Sequence, residues 1–305
     1  MPISSNKIAD LVLFFRDELK NDYESNEIET LIAYCFEEFL YLNRAHIVLN
    51  KSTSINESEL LKFKFAIKSL KEFKPIQYIL GKADFYGLKF IVNENVLIPR
   101  PETEELVNLI IKELKEKNKH SENKNGSDFS ILDIGTGTGC IPIVLKKNIP
   151  TANLYALDIS LKALEIAKQN AILHNVIINF LHFDILSPLP SFFLRDSLPI
   201  PAFKFDIIVS NPPYICIPEK SKMNKNVLDY EPHLALFVND IDPMLFNKMI
   251  AEFALKYLKT NGELYLEINQ YHGLETEQMF ESKGFKNTRL LKDCNDNDRI
   301  LYCNT

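Results

Sequence analysis

From Ser130 to the end of the chain, short apolar runs alternate with amphipathic segments of helical period. Ser130-Ile-Leu-Asp-Ile, Leu154-Tyr-Ala-Leu-Asp158, Ile177 to Phe183, Phe205-Asp-Ile-Ile-Val and Glu263 to Ile268 read as five strands. Helices are expected between them: one through Lys147 with Pro142 in its first turn, one capped by Ser160, and Leu245–Leu258. Strands that alternate with helices pair in parallel through right-handed crossovers. The expected class is α/β, with a doubly wound Rossmann-like sheet, mostly parallel. Arg289–Lys292 and Arg299–Cys303 close it as a hairpin with an antiparallel last strand. Ser187–Ala202 has four prolines and no period, and reads as a surface excursion.

In such sheets ligands sit at the carboxyl ends of the strands, near the topological switch. Gly135-Thr136-Gly137-Thr138-Gly139 lies there, directly after the strand ending around Asp133 and before a helix. Glycines let the backbone turn tightly and approach a ligand that a Cβ would hold off. Asp158 ends the second strand, where a carboxylate can accept both hydroxyls of a ribose. Asp184, beside Ile185, ends the third and is placed to accept an adenine amino proton. No Gly-Lys-Ser/Thr follows the glycines, which excludes a P-loop, and no basic residue is evident to hold the phosphates of NAD. S-adenosyl-L-methionine, a nucleoside without phosphates, fits this pattern best.

The fourth strand stops at Asn211-Pro212-Pro213-Tyr214. Two prolines cannot donate ladder hydrogen bonds, so the strand ends there and the backbone leaves stiffly. The carboxamide oxygen of Asn211 and the carbonyl of Pro212 are both acceptors, beside the flat ring of Tyr214. Two acceptors and a ring suit a planar group bearing an NH2. The bland alternative is a proline-rich turn that merely closes a strand. Beside the glycine loop, the reading is the acceptor half of a nitrogen methyltransferase site.

Residues 1–74 read as wholly helical, with Ile8, Leu11, Val12, Phe15 and Leu19 on one face and Ile28, Leu31, Ile32, Cys35, Phe39 and Leu42 on another. Asn56 and Glu59 resemble a capping box opening a helix through Phe73. No reactive constellation appears there, and His46 reads as an ordinary packed or half-exposed histidine. Residues 75–100 form a linker with a hairpin around Gly87. The third region, 101–305, opens with Pro101 as the first helical residue and a helix from Leu106 to Glu116. Glu102 and Glu104 either compensate the helix dipole or, with the proline-framed loop, wall the site. A polar connection, Lys117–Gly126, follows.

A net charge of −6 argues against a surface built mainly for nucleic acid. The five cysteines are scattered without C-x-x-C spacing, which disfavours zinc and a disulfide framework. No apolar run approaches a membrane span, and no signal-peptide core opens the chain. A cytoplasmic protein is expected.

Several of these motifs together resemble one family. Pro75-Ile-Gln-Tyr-Ile-Leu-Gly, Phe85-Tyr-Gly, Val96-Leu-Ile-Pro-Arg-Pro-Glu-Thr-Glu, Asp133-Ile-Gly-Thr-Gly-Thr-Gly, Asn211-Pro-Pro-Tyr-Ile, Tyr230-Glu-Pro-x-x-Ala-Leu236 and the closing Lys292-Asp…Asp-Arg299 are similar, in order, to protein-(glutamine-N5) methyltransferases of peptide chain release factors. The resemblance implies that the substrate is the glutamine of a Gly-Gly-Gln loop in class-1 release factors, and that the N-terminal helices help to dock it. It implies that Gly135 to Gly139, Asp158 and Asp184–Ile185 hold the cofactor and that Asn211 to Tyr214 hold the glutamine. The activity of a paralogue on a ribosomal protein, a nucleic-acid amine methyltransferase and an inactive cofactor-binding regulator are the rival readings. The chain departs from the family at Asn269 and Asp296, where glycine is common, and near His272, where a glutamine is.

Overall fold

The computed structural model describes residues 5–120, 129–187, 204–239 and 241–305. Two compact units divide the chain: Met1–Lys82 with Asn224–Tyr230, and Ala83–Met223 with Glu231–Thr305.

The first unit is helical: α1 (Ile8–Leu19), α2 (Ser25–Leu40), α3 (Arg44–Leu49), α4 (Glu57–Lys71) and α5 (Ile76–Leu80). Ile8, Leu11, Phe15 and Leu19 recur at helical spacing and are all buried, against Ile28, Ile32, Cys35 and Phe63. On α2 the buried stripe is wider than one face predicts. It takes in Phe36, whose ring centroid lies 4.7 Å from that of Phe63, while Phe39 and Leu42 are only partly buried. Helices α1 and α4 both pack on α2, so a single stripe cannot serve both. The capping box at Asn56 is present: its side chain accepts from Glu59 N at 2.9 Å, and Glu59 accepts from Asn56 N at 2.9 Å. That helix ends at Lys71, short of Phe73, which takes a left-handed backbone at φ 61°. His46 is exposed. One further helix of this unit comes from far along the chain, α9 (Lys225–Tyr230). Within the unit the Tyr230 hydroxyl donates to Glu72 O at 2.7 Å, and the Lys225 ammonium lies 5.4 Å from the Phe73 ring centroid.

The expected hairpin is β1 (Lys82–Phe85) and β2 (Leu88–Ile91). Its two-residue turn, Tyr86-Gly87, has positive φ at both positions, 51° and 71°; a two-residue turn of that kind matches strand twist. Helix α6 (Pro101–His120) opens at Pro101 as expected and outruns its expected span at the carboxyl end. Residues 117–120 are helical rather than part of a polar connection, and residues 121–126 of that connection lie outside the described residues.

The sheet of the second unit has seven strands, β3 (Ser130–Ile134), β4 (Asn153–Asp158), β5 (Asn179–His182), β6 (Phe205–Ser210), β7 (Leu258–Glu267), β8 (Lys286–Lys292) and β9 (Asp298–Asn304). Their order is β5-β4-β3-β6-β7-β9-β8. The first five pair in parallel, and β9 runs antiparallel to both neighbours. Every residue of β3 is buried, with Ile131 in the core on one face and Leu132 and Ile134 in the core on the other. That central strand needs α6, α7 (Cys140–Asn148) and α8 (Leu161–Leu173) over the first face. After the short α10 (His233–Leu236), helices α11 (Leu245–Tyr257) and α12 (Gly273–Ser282) cover the second. Strand β7 starts earlier than expected. Leu258 pairs with Phe205, and the register then shifts so that Glu263 pairs with Ile207; the intervening residues bulge out of the ladder. In the β8–β9 turn Asp296 sits at φ 64°, a left-handed geometry that explains why glycine suits the position and why aspartate is tolerated there. Of the proline-rich stretch only Ser187 and the flanking Asp184–Leu186 are described; residues 188–203 lie outside the described residues.

Candidate active site

The strand ends of β3, β4, β5 and β6 open into one cleft, whose walls include Gly135, Gly137, Asp158, Asp184, Ile185 and Asn211. Gly135 and Gly137 have φ 74° and 53°, and the space where a Cβ would stand at each is open. A side chain at either position would intrude where a ligand lies against the backbone. Gly135 N and Thr136 N bond to Leu157 O at 2.9 and 3.0 Å, folding the loop across the end of β4. Gly139 has a different task. A Cβ there would stand 3.1 Å from that of Ala167, so the glycine permits α7 to approach α8. Thr136 and Thr138 are buried behind the loop, and the Thr138 carbonyl accepts from Asn170 at 2.9 Å.

The three acids at the strand ends differ in environment. Asp158 accepts from Gly137 N at 2.9 Å through one oxygen and from Ser160 N at 2.8 Å through the other. It clamps the glycine loop while facing the cleft, and burial raises its pKa. Asp184 accepts from Leu186 N at 2.9 Å and from the Ser187 hydroxyl at 3.2 Å, which shapes its own turn. Asp133 is fully buried, and neither carboxylate oxygen has a hydrogen-bond partner among the described residues. Burial pushes its carboxyl up to about 7, with the nearby Thr136 hydroxyl opposing that rise and the charge of Asp158 adding to it. In the sequence Asp133 is one of three strand-end acids and opens the glycine-loop motif that carries the resemblance.

Asn211, Pro212 and Pro213 line the same cleft. Asn211 Nδ2 donates to Thr103 Oγ1 at 3.0 Å, and Thr103 donates to Glu267 Oε2 at 2.7 Å. Tyr214 follows these residues and is half-buried. Its hydroxyl donates to the other Glu267 oxygen at 3.0 Å, and burial holds the phenol pKa far above its ordinary value. Arg299 Nη1 stands 3.5 Å from the same hydroxyl and its Nε donates to Asp293 at 3.1 Å. Glu267 is buried, which raises its pKa, and the two hydroxyls oppose that rise. The Tyr214 carbonyl accepts from Asn269 Nδ2 at 2.9 Å. Glu102 and Glu104 part ways: Glu104 accepts from Tyr86 N at 2.7 Å and secures the hairpin turn. Further along the wall, Asn95, Leu97, Pro232, Leu234 and Ala235 also line the cleft. The two segments are joined by Glu231, which accepts from Ile98 N at 3.2 Å and from Arg100 Nη2 at 2.6 Å. Thr103, Glu267 and Glu231 escaped the sequence reading as site residues, although Thr103 and Glu231 lie inside motifs that carried the resemblance.

Residues 10–81 match the PrmC N-terminal domain and residues 107–229 the methyltransferase small domain. A release factor glutamine methyltransferase of Flavobacterium psychrophilum is 48% identical over 290 residues, covering 95% of this chain and 96% of the relative. The chain belongs to the release factor glutamine methyltransferases. Two others, from Bacteroides thetaiotaomicron and Streptococcus pneumoniae, are 39% and 37% identical and span 96% and 97% of the chain, with 99% and 97% of their own lengths covered. The solved catalytic domain of hMettl16, in complex with the MAT2A 3′UTR hairpin 6, shares the fold at a TM-score of 0.52. It is 16% identical, with 84% of this chain and 85% of that chain covered. The protein is an S-adenosylmethionine-dependent methyltransferase. The residues present fit the cofactor, because the open glycine cradle leaves room for it and the acids at the strand ends favour its positive charge. No helix among the described residues is long and apolar enough to cross a membrane, and none of their side chains form a metal-binding cluster.

Proposed function

We propose that this methyltransferase modifies the side-chain amide nitrogen, N5, of the glutamine in the Gly-Gly-Gln loop of class-1 peptide chain release factors, and so modulates translation termination. The observation that carries the reading is the Asn211 carboxamide. Its nitrogen is engaged by Thr103, so its oxygen is the end left to face the cleft beside the Pro212 carbonyl. Two acceptors there take the two N–H groups of a primary amide. An amide nitrogen is a poor nucleophile because its lone pair is shared with its carbonyl. Holding both protons turns that lone pair toward the donor, a positioning effect that reaches ~7–11 kcal/mol in well-oriented systems. The same acceptors stabilise positive charge as it develops on nitrogen. Bound S-adenosylmethionine supplies an electrophilic methyl group on its sulfonium. Gly135 and Gly137 let the backbone approach it, Asp158 accepts from the ribose, and Asp184 with Ile185 borders the adenine. Thr136, Thr138 and Gly139 act on the cofactor through the shape of the loop. Tyr214 packs its ring on the flat amide, and its hydroxyl on Glu267 anchors the turn that carries Asn211.

In the same reading the helical segment, residues 1–74, docks the release factor, residues 75–100 link it to the methyltransferase domain, 101–305, and the enzyme works in the cytoplasm without a nucleic-acid or membrane partner. The test is mass spectrometry of purified release factors, ribosomal proteins and RNA, each incubated with the protein and labelled cofactor. Label on the Gly-Gly-Gln glutamine supports the proposal. Label confined to a ribosomal protein or to RNA, or no transfer despite cofactor binding, overturns it.

A further inference from the structure

Asn211 has a symmetry problem. The oxygen and NH2 of a carboxamide are nearly isosteric, so the side chain fits its place in either of two flips. One flip offers an acceptor to the substrate amide. The other points an N–H at an N–H and leaves the docked amide misaligned. We propose that Thr103 and Glu267 are positioning residues that fix this flip, so that Asn211 Oδ1 always faces the acceptor nitrogen; the inference rests on the function proposed above.

The direction of the hydrogen-bond chain carries it. Glu267 ends β7 and is buried, and as a carboxylate it can only accept. It accepts one hydroxyl on each oxygen, Thr103 at 2.7 Å and Tyr214 at 3.0 Å. Thr103 is buried in the first turn of α6 and has one hydroxyl proton, which Glu267 takes. Towards Asn211 it can therefore only accept. The atom of Asn211 at 3.0 Å from Thr103 Oγ1 must then be the donor, Nδ2. Donor and acceptor roles thus propagate without ambiguity from a buried charge to the end of Asn211 that meets substrate. The far side is fixed too. Arg299 approaches the Tyr214 hydroxyl at 3.5 Å, and the Tyr214 carbonyl is held by Asn269. Three elements, α6, β6 and β7, converge on this relay, whereas a strand-closing turn would need none of it.

The relay touches neither the methyl group nor the acceptor, so its loss should act on rate and leave binding alone. In Thr103→Val the shape is kept and the hydroxyl removed. Single-turnover methylation of the release factor at saturating cofactor should fall roughly 10- to 100-fold, the scale for a misplaced reacting group. The KM for release factor and the cofactor affinity should stay as in wild type. Thr103→Ser restores the hydroxyl and should recover most of the lost rate. A second readout is independent of the acceptor. In cofactor-free protein carrying 15N-asparagine, one Asn211 side-chain N–H proton should exchange slowly in wild type and Thr103→Ser, and rapidly in Thr103→Val. Should Thr103→Val not fold, Glu267→Gln tests the same relay. Its amide donates as well as accepts, so the direction is no longer fixed and the rate should fall at unchanged KM. Wild-type rates in Thr103→Val or in Glu267→Gln, an equal loss in Thr103→Ser, or Asn211 protons indifferent to Thr103 would each overturn the assignment. Failure of the wild-type protein to methylate a release factor would instead remove the proposed function, and the exchange measurement would still decide the flip.

Discussion

Replacing Asp133 by asparagine should stabilise the cofactor-free protein, and by an amount that depends on pH. The Asp133 carboxyl is fully buried without a hydrogen-bond partner among the described residues, and titrates at about 7 against an ordinary 3.8. Between those two values the folded state keeps the proton and the unfolded state has lost it. Stability therefore falls as pH rises through this window and is flat above about 7. At 1.36 kcal/mol for each tenfold change in proton concentration between those two values, the effect has an upper bound of ~4 kcal/mol. Asparagine has the same shape and cannot ionise. The variant should match wild type near pH 4 and exceed it by up to ~4 kcal/mol at pH 8, with the gap widening in between. Urea unfolding followed by circular dichroism across that range measures the gap directly. A gap of the same size at pH 5 and pH 8 would show that burial of the charge is not the cause. A buried carboxylate beneath a cleft that takes a cationic cofactor has an evident use, so the same variant should bind S-adenosylmethionine more weakly at pH 8.

Asp158→Ala should lower cofactor affinity by ~1.5–3 kcal/mol, the scale of a charge-assisted hydrogen bond, because it removes both a ribose acceptor and the clamp on Gly137; calorimetry showing unchanged affinity in a folded variant takes Asp158 out of the site. Asn211→Ala should leave cofactor binding intact and cut the single-turnover rate by more than the ~1–3 kcal/mol of one unsatisfied N–H, since misalignment adds to it. A rate close to wild type would make Asn211-Pro-Pro-Tyr214 a strand-ending turn. Glu231→Ala should destabilise the protein by ~2–4 kcal/mol in thermal or urea unfolding, somewhat below the range for a fully buried pair, because the Arg100 side chain is 32% exposed against 1% for Glu231. Asn269→Gly, which restores the residue common in the family, frees the Tyr214 carbonyl and should lower the transfer rate while cofactor affinity holds.

What could be read from the sequence is what acts locally. The glycine loop, the strand-end acids and the two prolines each carry their chemistry within a few residues, so period and composition located them. The capping box at Asn56 and the turn at Gly87 were legible for the same reason. The register shift in β7 was not, because Lys259–Gly262 look like a loop before a strand and Leu258 pairs with Phe205 only through the sheet. Nor was α9, whose partners Glu72 and Phe73 lie about 150 residues earlier in the chain. The packing of Gly139 was not legible either. Its spacing matches that of the cofactor glycines, and the Ala167 that a Cβ there would meet is announced by no local pattern.

The buried relay behind Asn211 is the strongest case of this limit. Thr103, Asn211 and Glu267 are separated by more than fifty residues at each step, 108 and 164 along the two hydrogen bonds. Seen singly, each has an ordinary explanation: a threonine in the first turn of a helix, an asparagine before proline, a glutamate at a strand end. Only the sheet order, which sets β7 beside β6, and the approach of α6 to β7 bring them together. The two prolines that follow Asn211 fix where its backbone goes but say nothing about which way its carboxamide is turned. Rate acceleration by positioning requires both. The stiff turn supplies the first within four residues, and a buried charge at the end of the neighbouring strand supplies the second.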